Sequence, residues 1–205
     1  MEVENLSLIE TFSPDDYLVN ILRRAVANDQ TILVETEDKG SILVIPSENR
    51  FYSQTSTLDA FCNLPQKQYK VSVLNDTSKQ QFSADQGKSL DELLWLAGYY
   101  ASSGKLIDDC SWNSVVELSY WPNFTRLPMQ PSFLRMASLL AKRPTSVEYC
   151  ISKLKVKREE AYQFFSAAYC AKSLRISNKP GIEEQLKPHR NQALLSLLLQ
   201  KIGQF

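Results

Sequence analysis

Histidine is almost missing from this chain: His189 is the only one in 205 residues. A single imidazole excludes most multi-histidine metal sites and argues against a histidine-based catalytic triad. Six glycines and nine prolines exclude collagen-like and glycine-rich low-complexity sequence. No stretch approaches the ~18 continuous apolar residues of a membrane span. The segment Met1-Glu2-Val3-Glu4-Asn5 is acidic, without the basic start and apolar run of a secretory leader. The phosphate loop GxxxxGK(S/T), the dinucleotide loop GxGxxG, GxSxG and HExxH are all absent. Cysteine is sparse and scattered: Cys62, Cys110, Cys150 and Cys170 form no CxxC pair. They read as small core residues of a reduced, cytoplasmic protein. In that compartment the sequon Asn123-Phe124-Thr125 carries no meaning.

What is present can build a core, with 43% of the residues apolar and 10% aromatic. The net charge is zero, but the zero hides a split. Residues 1–120 hold 9 Lys+Arg against 18 Asp+Glu, a balance of 9 − 18 = −9. Residues 121–205 hold 14 against 5, a balance of 14 − 5 = +9. Such asymmetry points to two units, either attracting one another or offering a basic half to an acidic partner or to nucleic acid.

Local patterns place the elements. Ser13-Pro14-Asp15-Asp16 resembles a helix start, followed by Tyr17, Leu18, Ile21, Leu22, Ala25 and Val26 at helical spacing. Segments 31–36 and 41–45, joined by Asp38-Lys39-Gly40, predict a hairpin that Pro46 stops. A short helix at 58–62 and a strand at 69–74 follow, then a polar loop over 75–87 with a short strand near Phe82. Ser89-Leu90-Asp91-Glu92 has the form of a capping box and opens a helix to Ser103, with Gly104 as its left-handed cap. A strand is expected at 115–119, broken by Trp121-Pro122-Asn123.

Beyond residue 125 the pattern turns helical. Helices are expected over 131–142, from the capping box Thr145-Ser146-Val147-Glu148 to Leu154, and over 158–172. The turn Lys155-Val156-Lys157 between the last two gives a helix-turn-helix core, and Leu174-Arg175-Ile176-Ser177 fits the start of a wing. A plain helical bundle is the alternative. A last helix from Pro188 to Ile202 carries Leu194, Leu195, Leu197, Leu198 and Leu199. It either packs in the core or meets another chain, with a homodimer as one outcome. The expectation is therefore an α+β protein. Residues 1–125 form an acidic sheet-plus-helix lobe, and residues 126–205 a basic, winged-helix-like lobe.

Candidate chemistry is thin, and no catalytic residue, cofactor or metal is assigned. The pairs Asp15-Asp16, Asp108-Asp109 and Glu159-Glu160 are sequence neighbours, which do not share a helix face. Asp108-Asp109 could ligate a metal only with a third group that the sequence does not supply. For nucleic acid, Lys153, Lys155, Lys157 and Arg158, with Lys142 and Arg143, surround the expected turn. Against this, Glu159 and Glu160 open the recognition helix, whose other outward groups are expected to be Tyr162, Gln163 and Ser166. All three tryptophans lie in 90–140, and there Trp121 and Arg126 are candidate anchors for a protein partner. Leu194 and Leu198 are a second candidate contact.

Leu93-Leu94-Trp95, Ser103-Gly104-Lys105-Leu106, Trp121-Pro122-Asn123-Phe124-Thr125-Arg126-Leu127 and Phe164-Phe165-Ser166-Ala167-Ala168 resemble uncharacterised bacterial proteins associated with signalling and with small-GTPase or surface-motility modules. The resemblance covers under half of the chain and names no activity. It implies a cytoplasmic bacterial regulatory adaptor whose partner is a small GTPase or another signalling component. A DNA-binding regulator and a sensor of a small anionic nucleotide, bound between the lobes, are the alternatives.

Overall fold

The computed structural model describes residues 10–74 and 87–177. The fold is α+β. In chain order the elements are β1 (Thr11–Phe12), α1 (Leu18–Ala27), β2 (Ile32–Thr36), β3 (Gly40–Ile45), β4 (Arg50–Thr55), α2 (Leu58–Cys62), β5 (Lys70–Val73) and β6 (Lys88–Ser89). They continue with α3 (Leu90–Ser102), β7 (Leu106–Ile107), β8 (Val115–Leu118), α4 (Pro131–Lys142), β9 (Thr145–Ser146), α5 (Val147–Leu154), α6 (Arg158–Cys170) and β10 (Leu174–Ile176). The strands form an antiparallel five-stranded sheet in the order β5-β2-β3-β4-β6, a three-stranded antiparallel sheet β10-β8-β9, and the parallel pair β1-β7.

The β2-β3 hairpin forms where alternating Ile32, Val34, Ile42 and Val44 supply an apolar face. Its turn needs glycine: Gly40 has φ +97°, and a Cβ there would meet the Gln54 carbonyl oxygen at 2.1 Å. Pro46 ends β3 at Ile45 as expected, but the sheet continues beyond it. A single 3₁₀ turn over Pro46–Glu48 and a left-handed Asn49 (φ 50°) reverse the chain into β4, which pairs with β3 from Gly40↔Thr55 to Ile45↔Arg50. The first helix also starts later than its Ser-Pro-Asp-Asp signal. Pro14–Asp16 make a 3₁₀ turn, Ser13 caps nothing with its side chain, and α1 begins after Tyr17.

One apolar core joins α1, the sheet, α3, α4, α5 and α6, running from Phe12 to Leu174. It crosses residue 125: Leu93, Leu94 and Trp95 of α3 share it with Phe164 and Phe165 of α6. The change of charge sign at that position does not coincide with a break in the core. α3 and α6 approach closely because Gly98 has no side chain. A Cβ at Gly98 would lie 2.8 Å from the Cys170 Cβ and Sγ and 3.0 Å from the Ser166 carbonyl oxygen.

This packing corrects the reading of α6. Tyr162 and Ser166, expected on its outer surface, are buried. Tyr162 meets Trp112 edge to face at 6.3 Å. The Ser166 hydroxyl accepts from the Ile107 N–H at 3.0 Å, which ties α6 to β7. From Ala161 to Cys170 only Gln163 and Tyr169 keep partial exposure. The four cysteines are buried and free, as small core residues. The expected strand near Phe82 and the helix of 188–202, with His189, Leu194 and Leu198, lie outside the described residues.

Candidate functional site

Trp121 and Arg126, about thirty residues beyond the start of α3 in sequence, meet it in space. Two hydrogen bonds fix the segment that carries them. The Ser119 N–H donates to the Ser173 carbonyl at 2.8 Å, and the Tyr120 hydroxyl donates to the Ala171 carbonyl. A turn then closes on Asn123, whose Oδ1 accepts from the Thr125 hydroxyl at 2.7 Å, while the Arg126 N–H donates to the Asn123 carbonyl at 3.1 Å.

This arrangement encloses a cavity of about 150 Å³ lined by Ser89, Asp91, Glu92, Trp95, Tyr120 and Trp121, with the 122–127 turn and 171–173 behind. Its aromatic wall is continuous with the core. Trp121 meets Phe124 edge to face at 6.2 Å, Phe124 meets Trp95 at 5.9 Å, and Trp95 meets Phe164 at 6.0 Å. Trp121 is 49% exposed and Trp95 1%. The indole N–H of Trp95 has no acceptor among the described residues. A half-exposed tryptophan packed edge-on against a partly buried Phe124, which packs in turn on the buried Trp95, has less side-chain freedom to lose on contact.

The electrostatics of the cavity are acidic. Arg126 reaches Glu92 at 3.4 Å, with Glu92 largely covered and Arg126 mostly exposed. Asp91 meets the Asn49 side-chain amide at 3.5 Å. Burial, and then the negative charge of Asp91, push the Tyr120 phenol up to about 12. Sequence reasoning assigned Glu92 to a capping box, and the structure corrects this. Ser89 belongs to β6 and makes no side-chain cap, and the Leu90 N–H donates to the Asn49 carbonyl at 3.0 Å. Glu92 is thereby released to Arg126. Asp91 and Glu92 carried no signal as site residues in the sequence, because the cavity joins three segments that are distant along the chain.

The other candidates fall elsewhere. Lys153, Lys155, Lys157 and Arg158 do cluster at the α5–α6 turn, where Lys155 takes a left-handed conformation (φ 50°). Arg158 is engaged, its guanidinium 5.4 Å from the centre of the Trp112 ring. Asp109, weighed as a metal ligand, pairs instead with Arg23 at 2.6 Å. The described residues contain no cluster of three potential metal ligands. A second cavity, of about 640 Å³, opens between α1 and the α6–β10 end. Arg23, Lys172, Arg175, Tyr169, Leu94 and Ile176 are among its walls.

No protein-family model, no curated protein and no solved structure matches the chain. Among the described residues, no helix is long and apolar enough to cross a membrane.

Proposed function

We propose that this chain is a non-enzymatic regulatory adaptor that works by docking another protein on the Trp121 face. The observation that carries this reading is the half-exposed Trp121 ring, set at the mouth of a cavity and braced through Phe124 and Trp95 to the core. Tyr120, Met129 and Leu134 extend the exposed apolar groups in the same part of the chain, and Arg126 adds a charge near the rim. Exposed aromatic and arginine anchors surrounded by polar groups are the composition of protein-contact surfaces. The resemblance drawn from the sequence supports a bacterial signalling setting, in the cytoplasm, with a small GTPase or another signalling component as the partner.

The order α4-β9-α5-α6-β10, with β8 between β9 and β10, supports the winged-helix-like reading of the basic half. The burial of α6 favours protein contact over DNA reading for it, since a fold does not fix its use. The test is capture from native bacterial extract by the wild type and by Trp121→Ala, with and without nuclease. Partners held by the wild type, lost with Trp121→Ala and indifferent to nuclease are expected. Identical captures by both proteins, or captures that nuclease removes, would sink the reading.

The larger cavity supports a second reading, the sensing of a small anionic nucleotide. Its charged lining residues are Arg23, Lys172 and Arg175, and among the described residues no carboxylate lines it. Its volume of about 640 Å³ suits a small ligand, for which clefts of ~300–1,000 Å³ are usual. Calorimetry of the wild type and of Lys172→Gln against a panel of nucleotides decides this reading, which silence across the panel would remove.

A further inference from the structure

We propose that the cavity beside Trp121 receives an arginine side chain presented by the docked partner, an inference that rests on the reading of this face as a protein-contact surface. Two carboxylates line the cavity, and their situations differ. Glu92 has Arg126 at 3.4 Å from its own chain. Asp91 has the neutral Asn49 amide at 3.5 Å, and among the described residues no cation lies within ion-pair distance of it. A carboxylate and a half-exposed indole that line one pocket attract a cation twice over. The carboxylate supplies the charge, and the ring supplies its negative face.

The size of the cavity restricts the occupant. About 150 Å³ holds one long side chain and excludes a ligand of the usual small-molecule kind, which fills ~300–1,000 Å³. The geometry favours guanidinium over ammonium. A planar guanidinium can stack on Trp121 and still fork toward Asp91, and it sheds water more readily than an ammonium.

The chain itself repeats this pairing. Arg23 lies over the Tyr169 ring at 5.3 Å while bonding Asp109 at 2.6 Å. Arg143 lies over Tyr149 and Arg158 over Trp112, at 5.3 and 5.4 Å. Trp121 and Asp91 bring the same two kinds of group, an aromatic ring and a carboxylate, to one cavity.

The test uses the full chain and a random library of displayed 12-residue peptides, selected on the wild type and counter-selected on Trp121→Ala. The selected peptides are expected to share an arginine. Replacing that arginine by citrulline, which keeps the shape and removes the charge, should weaken binding at least tenfold. Asp91→Asn, checked for an unchanged melting temperature within a few degrees, should abolish the preference for arginine over citrulline. Trp121→Ala should weaken both peptides, and higher salt should weaken the arginine peptide more than the citrulline one. Peptides that bind equally with arginine and citrulline but depend on Trp121 would overturn the arginine occupant and leave the contact surface standing. No enrichment on the wild type would overturn both.

Discussion

The hydroxyl of Ser166, fully buried on α6, accepts a hydrogen bond from the backbone N–H of Ile107, 3.0 Å away. The same hydroxyl lies 3.3 Å from the Lys105 carbonyl, to which it donates. One side chain thus satisfies two backbone groups beside the β1-β7 pair and anchors the start of the described chain to its last long helix. Ser166→Ala leaves a buried N–H without its acceptor. The expected loss is about 1–3 kcal/mol of unfolding free energy, read from urea denaturation. A change within ~0.5 kcal/mol would mean that this bond does not hold β7 in place.

Gly98 sets the distance between α3 and α6. In an exposed helix, Gly→Ala would gain ~1 kcal/mol of helix propensity. Here the added carbon would lie 2.8 Å from Cys170 Cβ and Sγ and 3.0 Å from a backbone carbonyl oxygen. Overpacking of this kind costs about 1–3 kcal/mol, so Gly98→Ala is expected to destabilise despite the propensity gain. Thermal unfolding of Gly98→Ala, alone and combined with Cys170→Ala, checks this. The second substitution removes one of the crowding atoms and should restore part of the loss.

Two sequence motifs of the same form behave differently in the structure, which allows a paired test. Ser146 caps α5, its hydroxyl oxygen accepting from the Tyr149 N–H at 3.1 Å. Thr145, expected to cap, is instead a buried residue of β9. Ser89 caps nothing through its side chain. Ser146→Ala should cost about 1 kcal/mol, and Ser89→Ala should stay within about 0.5 kcal/mol of the wild type. Equal effects at both positions would contradict the hydrogen-bond assignment.

These cases mark what the sequence made legible. Periodic apolar residues placed α1, the β2-β3 hairpin, α3, α4, α5 and α6 to within a few residues, because each buries a face that its own spacing declares. β4 escaped notice because Phe51 and Tyr52 are adjacent and the strand lacks a clean alternation, with its one fully buried position at Phe51. The surroundings of α6 were not legible. Ala161, Phe164, Phe165 and Ala168 announced one buried face, but α3 and β7 cover the opposite one, and no local pattern near Tyr162 or Ser166 reports a contact 60 residues away. The site was half visible. Trp121 and Arg126 stood out by residue type, whereas Asp91 and Glu92 gained their meaning when the 120–127 turn folded over the start of α3.

The buried thiols tie stability to alkaline pH. Burial pushes each of Cys62, Cys110, Cys150 and Cys170 from an ordinary value of 9.0 up to about 12, at Cys150 through burial alone. Between those values the unfolded chain has lost protons that the folded chain keeps, so folding stability falls as pH rises. The contribution is intact below about pH 8. Each thiol then withdraws up to ~1.4 kcal/mol per pH unit until its folded value is reached. Urea midpoints at pH 7.5, 8.5, 9.5 and 10.5 should fall slightly between the first two and drop steeply afterwards. Replacing Cys150 by alanine should lower the midpoint at neutral pH through the lost packing and make the alkaline slope shallower by one group. A midpoint that stays level to pH 10.5 would show that the thiols ionise freely in the folded chain, which is incompatible with their burial.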